Sequence, residues 1–145
     1  MTALHIALGV ALVAVNLAAG LLGAWRWRWR RDEYSHAFWP LLRTGQALVV
    51  LEVIQGGVLI LLGQDLPRLH LIYGLVPLGV ALIAEQLRLT SAQTILDQRG
   101  VSSASELAPD DAEHAALDIL RREMGVMAAS ALVVAALGLR AGGLL

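Results

Sequence analysis

Apolar residues occur along the chain in four long runs that are separated by short polar segments. Each run is long enough to cross the hydrocarbon core of a bilayer, which takes about 20 mostly apolar residues in a helix. The pattern predicts membrane spans over about residues 2–24, 37–62, 69–89 and 120–140. The predicted fold is therefore all-α: an integral membrane four-helix bundle in a single domain that covers residues 1–145.

The segments between the spans contain both loops and helix extensions. A short loop at 32–36 precedes the second span, and the helix-stopping residues of 63–68 predict a turn before the third. Beyond the third span, TSAQTILDQ continues the helical pattern to about Gln98. After a polar loop, the last helix is expected to begin near Pro109 or Asp110. The third and fourth helices are thus predicted to extend into the loop at about 90–118.

The positions of the arginines predict how the bundle is oriented. Most of them follow the first span or lie between the third and fourth: Arg26, Arg28, Arg30, Arg31, Arg88, Arg99, Arg121 and Arg122. Arg68 and Arg140 fall on the other side. Because cytoplasmic loops of membrane proteins are enriched in basic residues, we expect both termini outside and the helix extensions in the cytoplasm.

Composition narrows the possible classes of function. Charged residues make up 16% of the chain, against about 25% in soluble domains, which agrees with a membrane protein. All eleven basic residues are arginine, and cysteine is absent. The absence of cysteine excludes disulfides, thiolate metal sites, cysteine nucleophiles and c-type haem attachment. The sequence also contains no glycine-rich phosphate loop and no convincing Ser–His–Asp set.

The first span ends in WRWRWRR, residues 25–31, where tryptophan and arginine alternate. Tryptophan favours the membrane–water interface and arginine its cytoplasmic side, so this segment is interpreted as an interfacial anchor. No accompanying domain indicates nucleic-acid binding. The predicted partner at this segment is the lipid bilayer.

Polar side chains inside the spans separate into two groups when their depth is counted at about 1.5 Å per helical residue. The group toward the cytoplasm contains Arg43, Glu85 and Arg88, with Arg122 as a further candidate, and is predicted to be a structural ion-pair network. The group toward the outside comprises His5, Asn16, Glu52, Gln55, His70 and Tyr73. His5 and His70 lie at one depth, near the outer surface.

Two interpretations of the outer group are open. Its members can be interhelical hydrogen-bonding residues, with Glu52 protonated. Alternatively, they form a polar site for a cofactor or a proton. Two histidines on different helices at one depth are the arrangement that ligates a b-type haem in a four-helix bundle. In that case His5 and His70 are the metal ligands, and the other residues of the group shape the pocket.

The segment LLRTGQALVVLEVIQGGVLILLG, followed by a turn and LHLIYG, resembles one four-helix half of heme A synthase. The resemblance covers about residues 4–84 and implies that His70 is a haem ligand, with His5 on the span that carries its partner. Thr2 stands where the family has the glutamate of a Glu-x-x-His signature, and the chain has one four-helix unit rather than two. The chain is also similar to small four-span proteins of high-GC Gram-positive bacteria, which imply no function.

These observations lead to three expectations of function. The first is a small bacterial plasma-membrane protein that binds haem b for electron transfer or haem handling. The second is a non-catalytic accessory or scaffold subunit of a larger membrane complex, or of a homo-oligomer. The third is a proton or ion pathway through Glu52. The sequence leaves open whether the protein is an enzyme.

Overall fold

The computed structural model describes residues 2–29, 36–65 and 67–143, and most of them are helical. The helices are α1 (Thr2–Trp29), α2 (Phe38–Leu61), α3 (Arg68–Leu89), α4 (Ser91–Gln98) and α5 (Pro109–Ala141), with a 3₁₀ turn at Ala104–Glu106. Within the described residues, α1, α2, α3 and α5 are each long and apolar enough to cross a membrane. The predicted all-α class and the four predicted span helices are confirmed.

The four long helices pack as an antiparallel bundle. α1 packs against α2 and α5, and α3 packs against the same two helices, so α1 and α3 lie on one diagonal. Both helices on this diagonal begin at the same end of the bundle. We call it the histidine end, because His5 and His70 lie there. The opposite end, where Arg43 and Arg88 lie, is called the arginine end.

The half of the bundle toward the arginine end has a close-packed apolar core. Its fully buried large side chains are Phe38, Leu42 and Met127. Small residues let the helices approach closely around them: Ala19 of α1 and Ala128 of α5 are both almost completely buried. In a bilayer, the van der Waals contacts of such close packing hold helices together, because lipid is as apolar as the buried side chains.

The core ends near the middle of the bundle. A second apolar cluster is formed there by Leu12, Val49 and Val134. Between this level and the histidine end, Leu59 is the one large apolar side chain that is buried among the described residues. The half of the bundle that holds the histidines therefore has almost no apolar core of its own.

The first helix extends further than the sequence predicted. It continues past Ala24 to Trp29, because the tryptophan–arginine segment is helical and packs against α5. The guanidinium of Arg121 lies 5.6 Å from the centroid of the Trp27 ring, and a Cβ on Gly125 would stand 2.9 Å from Trp27 Nε1. Most of the predicted loop at 32–36 lies outside the described residues.

The predicted extension of the third helix is a separate helix. α3 ends at Leu89, and α4 begins after Thr90. The Thr90 hydroxyl donates to the carbonyls of Gln86 and Leu87 at 3.2 Å each, an interaction that bends helices. The predicted end at Gln98 and the predicted start of the last helix at Pro109 are confirmed.

A tight turn connects α2 to α3. Gly63 ends α2 with a φ of +79°, a left-handed conformation that glycine adopts without steric cost. The amide of Gln64 donates to the carbonyl of Leu59 at 3.0 Å, which closes the helix end. The predicted turn therefore brings the two helices together at the histidine end.

Candidate functional site

His5 of α1 and His70 of α3 meet at the histidine end, across the diagonal of the bundle. Their Nε2 atoms lie 3.5 Å apart. The ring centroids are 5.8 Å apart, with 64° between the ring planes. Because the nitrogens are closer together than the ring centres, the two imidazoles meet end to end. The structure thus brings together the two histidines that the sequence singled out.

Glu52 of α2 approaches the other ring nitrogen of His5. Its Oε2 lies 2.7 Å from His5 Nδ1, which is close enough for an ion pair. The angle between the two groups does not meet the geometry of a hydrogen bond. A carboxylate next to one imidazole nitrogen favours a proton there and leaves a lone pair on the other nitrogen. Glu52 therefore favours the tautomer in which the Nε2 lone pair of His5 points at His70.

His5, Glu52 and His70 are each followed, four positions later, by a glycine: Gly9, Gly56 and Gly74. Four residues are about one helical turn, so each glycine shares a helix face with its polar residue. A Cβ on Gly56 or Gly74 would meet no described atom within 4 Å, and one on Gly9 would meet Glu52 Oε1 at 3.8 Å. Gly56 and Gly74 therefore lie in no tight helix contact, and Gly74 is exposed on the surface of the bundle.

Glycines in the rest of the bundle have a different surrounding. A Cβ on Gly45 would stand 2.8 Å from Asn16 Oδ1, and one on Gly23 would stand 2.5 Å from a ring carbon of Phe38. These glycines allow close approach of neighbouring helices, as small residues commonly do in membrane bundles. Gly56 and Gly74 lie in no such contact, so close helix packing does not explain them.

Gln55 and Tyr73 lie within one turn of Glu52 and His70, but neither reaches the histidine pair by a described hydrogen bond. The side-chain nitrogen and oxygen of Gln55 are buried and have no hydrogen-bond partner among the described residues. An unpaired buried amide is unfavourable by about 1–3 kcal/mol. The Tyr73 ring is turned toward α5, with the Arg140 guanidinium 5.8 Å from its centroid.

The structure does not bring Asn16 to the histidines. Asn16 lies eleven residues further along α1 than His5, which is about 16 Å at helical rise. It is 2% exposed, and its Nδ2 donates to the carbonyl of Leu12 at 2.9 Å. Its side chain packs against Gly45. Asn16 is therefore part of the packed middle of the bundle.

The polar group at the arginine end joins α2 to α3. The Glu85 carboxylate accepts hydrogen bonds from Arg43 Nη1, from Gln46 Nε2 at 2.9 Å and from Arg88 Nε at 2.8 Å. The predicted contact between Arg43 and Glu85 is present. Arg43 also donates to Gln46 Oε1 at 2.6 Å, so the group is a connected ion-pair and hydrogen-bond network centred on Glu85.

α5 contributes a second carboxylate to this network. Glu123 lies 3.7 Å from Arg88 Nη1, whereas its neighbour Arg122, expected as a possible member, is exposed. Between the helices lies a cleft of about 240 Å³, lined by Trp39, Arg43, Arg88, Leu120 and Glu123. The cleft is distant from the histidine pair and belongs to the arginine end.

Sequence reasoning missed two features of the histidine end. One is the stacking of Arg140 on Tyr73, because the sequence does not show which face of α5 is turned toward α3. The other is the set of glycines that follow His5, Glu52 and His70 at a constant spacing of four. That spacing is visible in the sequence and could have indicated an open site.

Among residues 2–29, 36–65 and 67–143, no group of three or more His, Cys, Asp or Glu side chains is arranged to hold a metal ion. A site built from the protein alone is therefore not indicated. The two imidazoles can supply two opposed ligands to a metal whose other ligands come from a cofactor.

No protein-family model, curated protein or solved structure matches the chain.

Proposed function

We propose that the protein is a small membrane protein that holds haem b between His5 and His70. The observation that carries the proposal is the end-to-end approach of the two imidazoles, with Nε2 atoms 3.5 Å apart. Stacked rings would not meet in this way, whereas a ring N–H···N hydrogen bond or a metal held between the two nitrogens would. Two axial ligands on opposite sides of one iron require such an approach, because both lone pairs must point at the same atom.

The spacing of the two nitrogens is close to that of an axial pair. An imidazole nitrogen lies about 2.0–2.1 Å from a metal that it ligates, so two opposed imidazoles hold their nitrogens about 4 Å apart. The pair would have to separate by about half an ångström from its 3.5 Å distance. Helices that have almost no apolar core between them at this level can accommodate such a shift.

Three features around the pair support the haem proposal. A Cβ on Gly56 or Gly74 would meet no described atom within 4 Å, and Gln55 offers a buried amide with no described partner. Glu52 would hold the His5 ring in the ligating tautomer, as carboxylates do behind metal-bound histidines. Haem bound here supplies one-electron chemistry, which suits electron transfer or haem handling. The resemblance to half of heme A synthase supports the same assignment.

The proposed location is the plasma membrane of a bacterium, with the histidine end outside. Four apolar helices of sufficient length support a multi-pass membrane protein. The arginines concentrated at the opposite end support a cytoplasmic position for that end. The partner of the proposed haem is then a redox protein or haem carrier that approaches from the outer side or within the bilayer.

An absorption spectrum of the purified protein from haem-replete cells tests the proposal. We expect a Soret band, and α and β bands on reduction, of low-spin haem b at one haem per chain. His5→Ala and His70→Ala should each abolish the low-spin spectrum. His114→Ala, an exposed histidine on α5, should leave it intact. A colourless wild-type protein, or a spectrum that survives His70→Ala, would overturn the proposal.

A second candidate function is proton transfer, which the contiguous arrangement of Glu52, His5 and His70 favours. The carboxylate lies 2.7 Å from one nitrogen of His5, and the other nitrogen faces His70. Titratable groups in line within a membrane are typical of proton relays. Proton flux into liposomes containing colourless protein, lost in Glu52→Gln, would support this candidate. Flux equal to that of empty liposomes would eliminate it.

A further inference from the structure

The cleft at the arginine end, between α2, α3 and α5, has both charged and apolar walls. Arg43, Arg88 and Glu123 form the charged part, and Trp39 and Leu120 form the apolar part. Its volume of about 240 Å³ equals that of about eight water molecules at ~30 Å³ each. Pockets for drug-sized ligands usually have about 300–1,000 Å³. The cleft therefore has room for a small polar group and not for a large cofactor.

The two guanidinium groups of the cleft have N–H groups without a described partner. Arginine has five N–H donors, and the described hydrogen bonds of Arg43 all use Nη1. Arg88 donates to Glu85 through Nε, and its Nη1 lies 3.7 Å from Glu123, which is longer than a hydrogen bond. Both side chains are partly exposed, Arg43 by 47% and Arg88 by 25%. Two accessible guanidinium groups around one space are suited to bind a phosphate group.

Glu123 adds a negative charge to the same cleft. Its carboxylate is 18% exposed, and the ion pair with Arg88 is long, at 3.7 Å. A purely anionic ligand would place like charge next to this carboxylate, which is unfavourable. A ligand that has a cationic group beside its phosphate complements both signs of charge, with the phosphate at the arginines and the cation at Glu123. The charges of the cleft therefore favour a zwitterion.

The cleft lies at the edge of the apolar spans. Trp39 is in the first turn of α2, Arg88 is in the last turn of α3, and Leu120 lies where the apolar run of α5 begins. In a bilayer, the phosphate groups of the lipids lie just outside the hydrocarbon core. A lipid headgroup can therefore enter the cleft while its acyl chains stay in the hydrocarbon core. The apolar walls then contact the glycerol end of the lipid.

We propose that this cleft binds the headgroup of phosphatidylethanolamine, which is a phosphate with a primary ammonium group. The phosphate accepts hydrogen bonds from Arg43 and Arg88, and the ammonium group donates to Glu123. A primary ammonium group has three N–H donors, whereas the trimethylammonium group of phosphatidylcholine has none, so the site distinguishes the two lipids. The bound lipid bridges α2, α3 and α5, of which α2 and α5 pack little against each other. The proposal is independent of the haem site.

Native mass spectrometry tests the site on protein released from nanodiscs that contain phosphatidylethanolamine, phosphatidylglycerol and phosphatidylcholine in equal amounts with identical acyl chains. We expect one retained lipid per chain, enriched in phosphatidylethanolamine. Arg43→Gln should lower its retention about tenfold, the loss expected when a charged hydrogen bond is removed. The matched control, Arg122→Gln, removes an exposed arginine of the same end and should leave retention unchanged. Retained lipid that mirrors the bilayer composition in wild type would overturn the proposal.

Two further variants distinguish lipid binding from a purely structural role. Glu123→Gln removes the partner of the ammonium group but leaves both guanidinium groups, so the preference should change from phosphatidylethanolamine to phosphatidylglycerol. A carboxylate that only pairs with Arg88 would not alter headgroup preference. Leu120→Trp should fill the cleft and abolish retention without removing a charge, which keeps the proposal testable if Arg43→Gln fails to fold. An unchanged preference in Glu123→Gln, or unchanged retention in Leu120→Trp, would overturn the proposal.

Thermal unfolding in detergent identifies the source of the phosphate. Short-chain phosphatidylethanolamine should raise the melting temperature of wild type, because a ligand that binds only the folded state stabilises it. It should not raise that of Leu120→Trp. O-phosphoethanolamine and inorganic phosphate at the same concentration should have no effect on wild type. An equal rise with either soluble compound would overturn the lipid as the ligand and show that the cleft binds a soluble phosphate.

Discussion

The Nε2 atoms of His5 and His70 face each other at 3.5 Å although 65 positions separate the residues in the chain. Each histidine lies near the start of a helix, and α1 and α3 both start at the same end of the bundle. The two histidines therefore lie at the same depth because of the chain topology. Their side chains meet because α1 and α3 lie on one diagonal of the bundle. Among the described residues, His5 also interacts with Glu52, which brings α2 to the same point.

Glu52→Gln should weaken haem binding without unfolding the bundle. The amide retains the size of the side chain but lacks the charge that orients the His5 ring. Replacement of such outer partners typically lowers metal affinity by about 10–100-fold. Haem titration of the apoprotein, followed at the Soret band, measures the change. A dissociation constant equal to that of wild type would show that Glu52 does not support the ligand.

Gly56→Leu should abolish haem binding and leave the bundle as stable as wild type, or slightly more stable. An added Cβ meets no described atom within 4 Å, and replacement of a helical glycine gains up to about 1 kcal/mol of helix propensity. It would, however, fill the space next to the histidine pair. Haem content and thermal unfolding in detergent, measured on the same sample, separate the two effects.

Gly45→Ala should destabilise the bundle and leave haem binding unchanged, which is the reverse of the result expected for Gly56→Leu. A Cβ there would stand 2.8 Å from Asn16 Oδ1, and Asn16 is held by its hydrogen bond to Leu12. Overpacking of this kind is unfavourable by about 1–3 kcal/mol, so the melting temperature should fall. The haem spectrum of the protein that remains folded should be unchanged. If Gly45→Ala and Gly56→Leu behave alike, the distinction between packed and open glycines is wrong.

The sequence predicted which residues near the helix ends share a depth, but it predicted neither the levels of Asn16 and Glu52 nor the azimuth of the side chains correctly. Helical rise fixed the level of His5 and His70, and of Arg43 and Glu85, because each lies at a countable distance from a helix end. Which face of a helix meets which neighbour depends on packing between helices. The depth of Asn16 was also predicted wrongly: it was expected level with Glu52, but Glu52 contacts His5 and Asn16 packs against Gly45, seven residues earlier on α2.

The dependence of azimuth on helix packing also explains why two neighbouring residues at the arginine end behave differently. Glu123 and Arg122 are adjacent in sequence, and their depths are nearly identical, yet Glu123 contacts Arg88 while Arg122 is exposed. A difference of one residue turns a side chain by about 100° around the helix axis. Only the packed bundle shows which of the two is directed inward.

Glu85→Gln should destabilise the bundle and leave the histidine pair, and with it the proposed haem site, intact. The substitution removes the charge that Arg43 and Arg88 share. Hydrogen bonds to charged groups contribute about 1.5–3 kcal/mol each when they are shielded, and Arg43 is 47% exposed, so a total loss of about 1–3 kcal/mol is expected. Thermal unfolding measures it, with the exposed Glu113→Gln as control. An unchanged melting temperature would contradict a structural role for the network.

Orientation in the membrane can be tested with single cysteines, because the natural chain has none. Gln64 lies in the turn at the histidine end and Ser102 in the segment between α4 and α5, and both are exposed. The arginine distribution predicts that Gln64→Cys reacts with a membrane-impermeant maleimide in intact cells. Ser102→Cys should react only after the cells are permeabilised. The reverse pattern would place the histidine pair on the cytoplasmic side, and any redox partner would then have to be sought there.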